Sequence, residues 1–376
     1  MSSLGRFQDK LIRLSSFKTR PDQPAGARQD KDMPSGIDAI KLQENPETAT
    51  GGVLPRQAAA PRPRWKTILL RPETMTFVLL ILATIGASWL SPYFADIGYI
   101  LESFTYYSDY AIVALVLTMV IIAGEIDLSG AAMMALSACL FGVTYRAGFP
   151  VPVAILVSLL SGALMGAFNG VLVIRFQLPS VIVTIGTLIL FRGLAQVIAG
   201  DKSIGKFPSW FIGIDFRYLL DVPVPVIIFF VATIALAIVL GTTALGRQIY
   251  QTGTSPIAAR HAGIRVNRIK MGLFISMGLA SSIAGLLAAS RLASVRYDLA
   301  NGAELQMVLI VMLGGTYIFG GRGSIVGTFL AAWLLVIIAT GMTVADIAIN
   351  AQLTVMGLLL IVSIIATNII YSRTQR

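Results

Sequence analysis

Charge is scarce in this chain. Of its 376 residues only 13% are Asp, Glu, Lys or Arg, while 56% are hydrophobic; ordinary soluble domains carry about a quarter charged residues. With a mean hydropathy of +0.78, that balance excludes a soluble globular fold. Cysteine and histidine are nearly absent. Cys139 stands alone, so no intramolecular disulfide is available, and His261 alone leaves no His/Cys metal site. The GxxxxGK[ST] phosphate loop is missing, which excludes ATP binding by that device. A DDxxD pair for prenyl-phosphate chemistry and a paired HxxE metal motif are missing too. With no nucleophile beside a base, no metal set and no acid–base pair, the sequence points to no enzyme and calls for no cofactor.

What charge there is lies at one end. Residues 1–71 hold 13 of the 29 Lys and Arg, and the remaining 305 residues hold 16. The net charge of +10 therefore does not describe a nucleic-acid surface; the basic residues flank apolar runs, as orientation in a bilayer requires. The chain divides into a disordered basic tail over 1–70 and a polytopic transmembrane domain over 71–376. The tail's Arg, Gln, Pro and Asp clusters bury too little apolar surface to offset ordering entropy. Within it, "LGRFQDKLIRLSSF" at 4–17 predicts a short amphipathic helix on an anionic lipid surface.

The fold class expected is an all-α integral membrane protein of about ten transmembrane helices. Apolar runs near 75–91, 109–124, 130–145, 151–174, 180–199, 222–241, 271–290, 304–320, 324–345 and 351–371 approach the ~20 residues a span needs. The second and third are short enough to be one span plus a broken half-helix. Arg247, Arg260, Arg265, Arg268 and Lys270 crowd 242–270, whereas 92–108 has no Lys or Arg. Both termini are therefore expected in the cytoplasm. Ser158, Gly162, Gly166 and Gly170 recur every fourth residue, and Gly323, Gly327 and Ala331 repeat the pattern; such faces let backbones approach closely.

Two acids interrupt the apolar sequence in "IIAGEIDLSGAAMM", residues 121–134. On a continuous helix Glu125 and Asp127 would lie about 200° apart, and a charged residue at the bilayer centre costs about 2.5–3.5 kcal/mol. Gly124 and Gly130 favour a helix break. One reading has Asp127 or Ser129 capping the next helix at an inside turn; the other has an acid lining a solute path, where carboxylates accept hydroxyl hydrogen bonds. Further polar candidates are Asn169, Thr184, Gln196, Asn301, Glu304 and Gln306. Arg192 is expected to snorkel outward. The glycine-rich "LGGTYIFGGRGS" at 313–324 lacks the phosphate-loop lysine and reads as a tight turn between helices.

In the loop "GTTALGRQIYQTGTSPIAARHAGIRVNRIK", 241–270, Ser255 followed by Pro256 signals a helix start, and Gly263 its end. A short helix between two spans suits the docking of a soluble partner. Taken in order, "GEIDLS" (124–129), "NGVLVIRFQLPSVIVTIGTLILFRGLA" (169–195), "GRQIYQTGTSPIAARHAGIRVNRIK" (246–270) and "LGGTYIFGGRGSIVGTFLAA" (313–332) resemble the permease subunits of bacterial sugar ATP-binding-cassette importers. The type is that of ribose, xylose and arabinose permeases, and the likeness spans roughly 75–371. The segment "MVLIVMLGGTYIFGG" is closer to rhamnose-type or autoinducer-2-type members.

The resemblance implies import of a monosaccharide by alternating access across the bacterial inner membrane. It implies cytoplasmic ATP-binding subunits, a periplasmic sugar-binding protein and a second permease copy, identical or homologous, besides membrane lipid. Ala258, Ala259, Arg260 and Gly263, with Ile264 and Arg265, match the family's ATPase-coupling loop. Ile257 stands where an acid is often found, Glu125 where glycine is usual, and Gln306 replaces an acid. Asp127 and Ser129 match the family more closely than Glu125 does. Two other readings stay open: a proton-coupled secondary transporter using Glu125 or Asp127, and a permease for branched-chain amino acids.

Overall fold

The computed structural model describes residues 72–91, 94 and 96–374. The expected disordered tail over 1–70 and the amphipathic helix at 4–17 lie outside the described residues. The described chain is helix upon helix: α1 (Pro72–Leu90), α2 (Ile97–Thr105), α3 (Ser108–Ile122), α4 (Gly130–Arg146), α5 (Val151–Arg175) and α6 (Ser180–Ala199). Short pieces come next, β1 (Ile204–Gly205), α7 (Ser209–Ile212), β2 (Tyr218–Leu219) and β3 (Val222–Pro223). The chain then forms α8 (Val224–Thr242), α9 (Ala244–Thr254), α10 (Pro256–His261) and α11 (Val266–Leu292). Strand β4 (Ser294–Val295) and helices α12 (Ala303–Leu313), α13 (Ile325–Val344) and α14 (Ile349–Thr374) complete it.

The expected count of about ten spans is not confirmed. Among the described residues six helices are long and apolar enough to cross a membrane: α5, α6, α8, α11, α13 and α14. A seventh is added if α2 and α3, which meet at 72°, form one broken span. The physical reason is length. An eleven-residue helix such as α12 rises only about 16 Å, against a hydrocarbon core of about 30 Å. The glycine pair Gly314–Gly315 ends it early, Gly315 taking φ +81°, where the apolar run in the sequence continues.

Apolar side chains sort onto two surfaces. On α5, Ser158, Gly162, Gly166 and Gly170 are buried, whereas Leu156, Leu160 and Leu164 on another face are exposed. The outward leucines suit acyl chains, and the inward stripe packs against α11. The Gly278 and Phe274 backbone lies so close that no side chain fits at Gly162 or Gly166. This is the close-approach geometry of small-residue faces in membranes. In the core, Phe229 stacks on Phe329 with centroids 5.6 Å apart, and Phe104 lies 4.1 Å from Trp333. In a second aromatic group, Phe207 and Phe211 of the 200–217 segment pack on Phe141 of α4.

The helices run back and forth between two ends. At one end the α3–α4 break (123–129), the turn before α6, the arginine-rich segment 243–265 and the glycine turn 314–324 come together; this is the basic end. At the opposite end β1 pairs antiparallel with β4, Ile204 with Val295. There the Ser290 hydroxyl at the end of α11 donates to the Phe211 carbonyl at 2.6 Å.

Candidate functional site at the basic end

The site is built around the α3–α4 break. Helix α3 ends where Gly124 takes φ +84°, and no regular hydrogen-bonded structure resumes until α4 begins at Gly130. Asp127 closes this break from within. Its Oδ1 accepts hydrogen bonds from the Ser129 backbone N–H at 2.9 Å and the Ser129 hydroxyl at 2.6 Å. Asn169 on α5 donates from Nδ2 to Ser129 Oγ at 2.8 Å and, at 3.5 Å, to Asp127 Oδ2. All three side chains are essentially inaccessible, so these bonds offset the cost of burying a carboxylate. Ile126 ties the break to α6: its N–H donates to Ser180 Oγ at 3.1 Å, and its carbonyl accepts from Thr184 Oγ1 at 3.3 Å.

Asp127 therefore holds the turn ahead of α4 rather than the free N–H groups of α4 itself. Ser129 occupies the N-cap position without making a side-chain cap bond. Glu125 points elsewhere and forms an ion pair with Lys270 in the first turns of α11. Val173, Ile174, Gln177, Leu178, Pro179, Arg260 and Asn267 complete a cavity of about 460 Å³ around that pair.

Two glycine-bearing turns and the last turn of α9 meet here. The Gly321 N–H donates to the Ile122 carbonyl at 2.8 Å. At Gly253 an added Cβ would stand 2.6 Å from the Gly321 nitrogen, and at Gly320 (φ +86°) 2.8 Å from the Gly124 Cα; only glycine fits such contacts. The Tyr250 hydroxyl donates to the Gly323 carbonyl at 2.8 Å. The glycine-rich 313–324 stretch is thus a turn, fastened to both the break and the loop.

On this base stands α10. Ser255 is its N-cap, accepting from the Ala258 N–H at 3.3 Å, and Pro256 fills the first helical position. Beyond its end, Gly263 takes φ +80° and the Ile264 N–H reaches the Ala259 carbonyl at 3.0 Å. The helix starts and stops where the sequence says. Ala259 is buried against its surroundings, Ile264 is half-buried, and Ala258, Arg260, His261, Gly263 and Arg265 are exposed. Ile257, a large apolar residue, is 70% exposed at its tip.

The candidate path residues do not form one group. Glu125, Asp127, Ser129, Asn169 and Thr184 gather at the basic end. Asn301 and Glu304 lie at the opposite end, Asn301 exposed and Glu304 half-buried with Oε2 lacking a hydrogen-bond partner. Arg192 does not snorkel outward: its Nη1 donates to the Tyr297 carbonyl at 2.9 Å and the Leu299 carbonyl at 2.5 Å. Those carbonyls take up Nη1, while the buried Nε has no hydrogen-bond partner. Sequence reasoning missed the buried pair of Arg291 and Asp109, 2.8 Å apart. Asp109 opens one apolar run and Arg291 closes another, and opposite charges at such places are the signal that a partner exists. It also missed Asp215, 2% exposed, whose two oxygens have no hydrogen-bond partner.

A polytopic helical bundle, a broken helix on a glycine seam and a capped helix projecting from the basic loop define a membrane permease of the importer type. The family described as branched-chain amino acid transport system / permease component matches residues 99–364. The chain belongs to this permease family of ATP-binding-cassette importers, multi-pass proteins of the inner membrane that work with ATP-binding and substrate-binding partners. It is similar to the autoinducer 2 import system permease protein LsrD of Escherichia coli (strain K12) and to that of Shigella flexneri. Each is 35% identical over 309 residues, covering 81% of this chain and 94% of the relative. No solved structure matches.

Proposed function

We propose that this chain is the permease through which an importer moves a monosaccharide, or a solute of similar size and hydroxyl content, into the cytoplasm. The observation that carries this reading is α10: a helix capped at both ends, following directly on α9, whose Gly253 abuts the α3–α4 break, and presenting Ile257 and Arg260 outward. A preformed apolar tip with flanking cations suits the cleft of a soluble ATPase, since little ordering entropy is spent on docking. Both termini lie in the cytoplasm with α10, and a second permease, identical or homologous, completes the pathway. ATP closes two ATPase partners, α10 is displaced, and the break passes that displacement to α5 and α6 through Asn169, Ser180 and Thr184.

The carboxylates support this reading over a proton-coupled one. Asp127 is held by Ser129 and Asn169, and Glu125 by Lys270. Along the solute path we place Asn301 and Glu304 at the outer end; Thr184 and Asn169, both fully buried in this conformation, would border its inner end only once α5 and α6 move apart. The relatives named for autoinducer 2 import match over 94% of their length, which favours a solute of that kind over a branched-chain amino acid.

The test is affinity purification of this chain from its native membrane in mild detergent with a non-hydrolysable ATP analogue. Co-recovery of a phosphate-loop ATPase and a secreted binding protein is the expected result, and ligand screening on that binding protein then identifies the solute. Recovery of the chain alone, still active in proteoliposomes, would overturn the reading.

A further inference from the structure

The break is fastened to α5 and α6 by neutral and carboxylate hydrogen bonds, but its link to α11 is of another kind. Glu125 and Lys270 pair across 145 residues of sequence with side chains only 11% and 16% exposed. They do so on the wall of a cavity of about 460 Å³ that also holds Arg260. Arg260 belongs to the last turn of α10, whereas Lys270 belongs to α11. One carboxylate thus has a cation from each of two elements within the same cavity, and open space between them. Asn267 and Gln177 line that space with carboxamides able to solvate a carboxylate in transit.

We propose that Glu125 is the positioning residue that relays α10 displacement to the α3–α4 break, passing its carboxylate between Lys270 and Arg260 across this cavity. The inference rests on the importer reading. A carboxylate with two discrete partners is bistable, and a bistable contact transmits motion where a continuously deformable one would absorb it. Exchange is favoured because the Glu125 side chain is itself only 11% exposed, so a carboxylate that leaves Lys270 gains by reaching the second cation at the open, polar side of the cavity, where Arg260 and Asn267 are exposed.

The test uses the full transporter with its ATPase partner in proteoliposomes. Cys139, the lone cysteine, is replaced (C139A), and Ile126→Cys in the break reports through its rate of labelling by fluorescein maleimide. With Glu125 present, ATP and vanadate are expected to change that rate at least threefold. In E125Q the ratio falls to about one. The charge-reversed pair E125K/K270E restores thermal stability but not the nucleotide response, since a lysine at position 125 is repelled by Arg260. A purely structural fastening predicts that the reversed pair restores both. A nucleotide response that survives in E125Q, returns in the reversed pair, or is missing with Glu125 in place overturns the relay. Failure of any ATPase to assemble with the chain overturns the importer reading instead.

Discussion

Replacing Gly278 by alanine tests whether the α5–α11 crossing is set by backbone contact. A Cβ at Gly278 would overlap the Gly162 carbonyl oxygen and stand 2.8 Å from the carbonyl carbon and 3.0 Å from the Gly166 nitrogen. Non-bonded carbons rest about 3.5–4.0 Å apart, so the helices must separate by roughly 1 Å. Overpacking of this kind costs about 1–3 kcal/mol, and the helix-propensity gain of alanine over glycine returns up to about 1 kcal/mol. The clash wins, leaving a net loss of about 1–2 kcal/mol. In a chain of this size that lowers Tm by a few degrees. Gly272 on the same helix provides the control, because a Cβ there meets nothing within 4 Å, so G272A leaves Tm unchanged or slightly higher. Thermal unfolding of both variants in detergent or nanodiscs, followed by aggregation or tryptophan fluorescence, reads the difference. A G278A protein as stable as G272A would refute the claim that Gly162, Gly166 and Gly278 are small because the backbones touch.

Three other outcomes are expected. Arg291→Ala strands Asp109, whose side chain is 1% exposed, and lowers stability by about 3–5 kcal/mol; the paired change R291M/D109L loses much less, as a double-mutant stability comparison will show. Burial pushes the Asp215 carboxyl up to about 6, with the Arg291 charge opposing and Asp109 adding to the rise. Folding therefore favours its protonated form, and stability falls as pH rises through the window from about 4 to 6. Asp215→Asn removes that slope and gains on the order of 2 kcal/mol at pH 7.5, measured as Tm against pH. Ile257→Asp at the tip of α10 weakens ATPase capture at least tenfold in a purification assay while leaving Tm within a degree, because the side chain is 70% exposed.

Local chemistry was legible in the sequence wherever a feature is written within one turn or two. Helix α10 is bounded by Ser255–Pro256 and Gly263 because capping depends on residues three or four positions apart. The α5 stripe is readable because every fourth residue shares a face. Span number was not legible for the same reason. Hydropathy averages over a window, whereas the backbone of α12 stops at one pair of glycines, and that event hardly alters the average. The acids show the limit more sharply. That Gly124 and Gly130 break the helix follows from their type, but what Glu125 meets is set by Lys270, 145 positions away. Asp109 likewise waits for Arg291 across 182 positions. No periodicity encodes such pairs, since only the packing of α11 against α3 and α5 brings them together.

That contrast assigns the two acids of the break different tasks. Asp127 spends its oxygens on Ser129 and Asn169, neutral partners within the break or on the helix beside it, so it moves as one piece with α5. Glu125 spends its charge on a helix whose root is the arginine-rich loop. On the importer reading, a close-tied contact with α5 and a charged contact with α11 two residues apart give the break one point that carries α5 with it and one point that is driven from the loop. A continuous helix could not provide this, since positions two apart diverge by about 200° and would face different neighbours. The non-helical segment lets Glu125 and Asp127 address α11 and α5 from the same short stretch, which is why the acids come as a pair where the helix is interrupted.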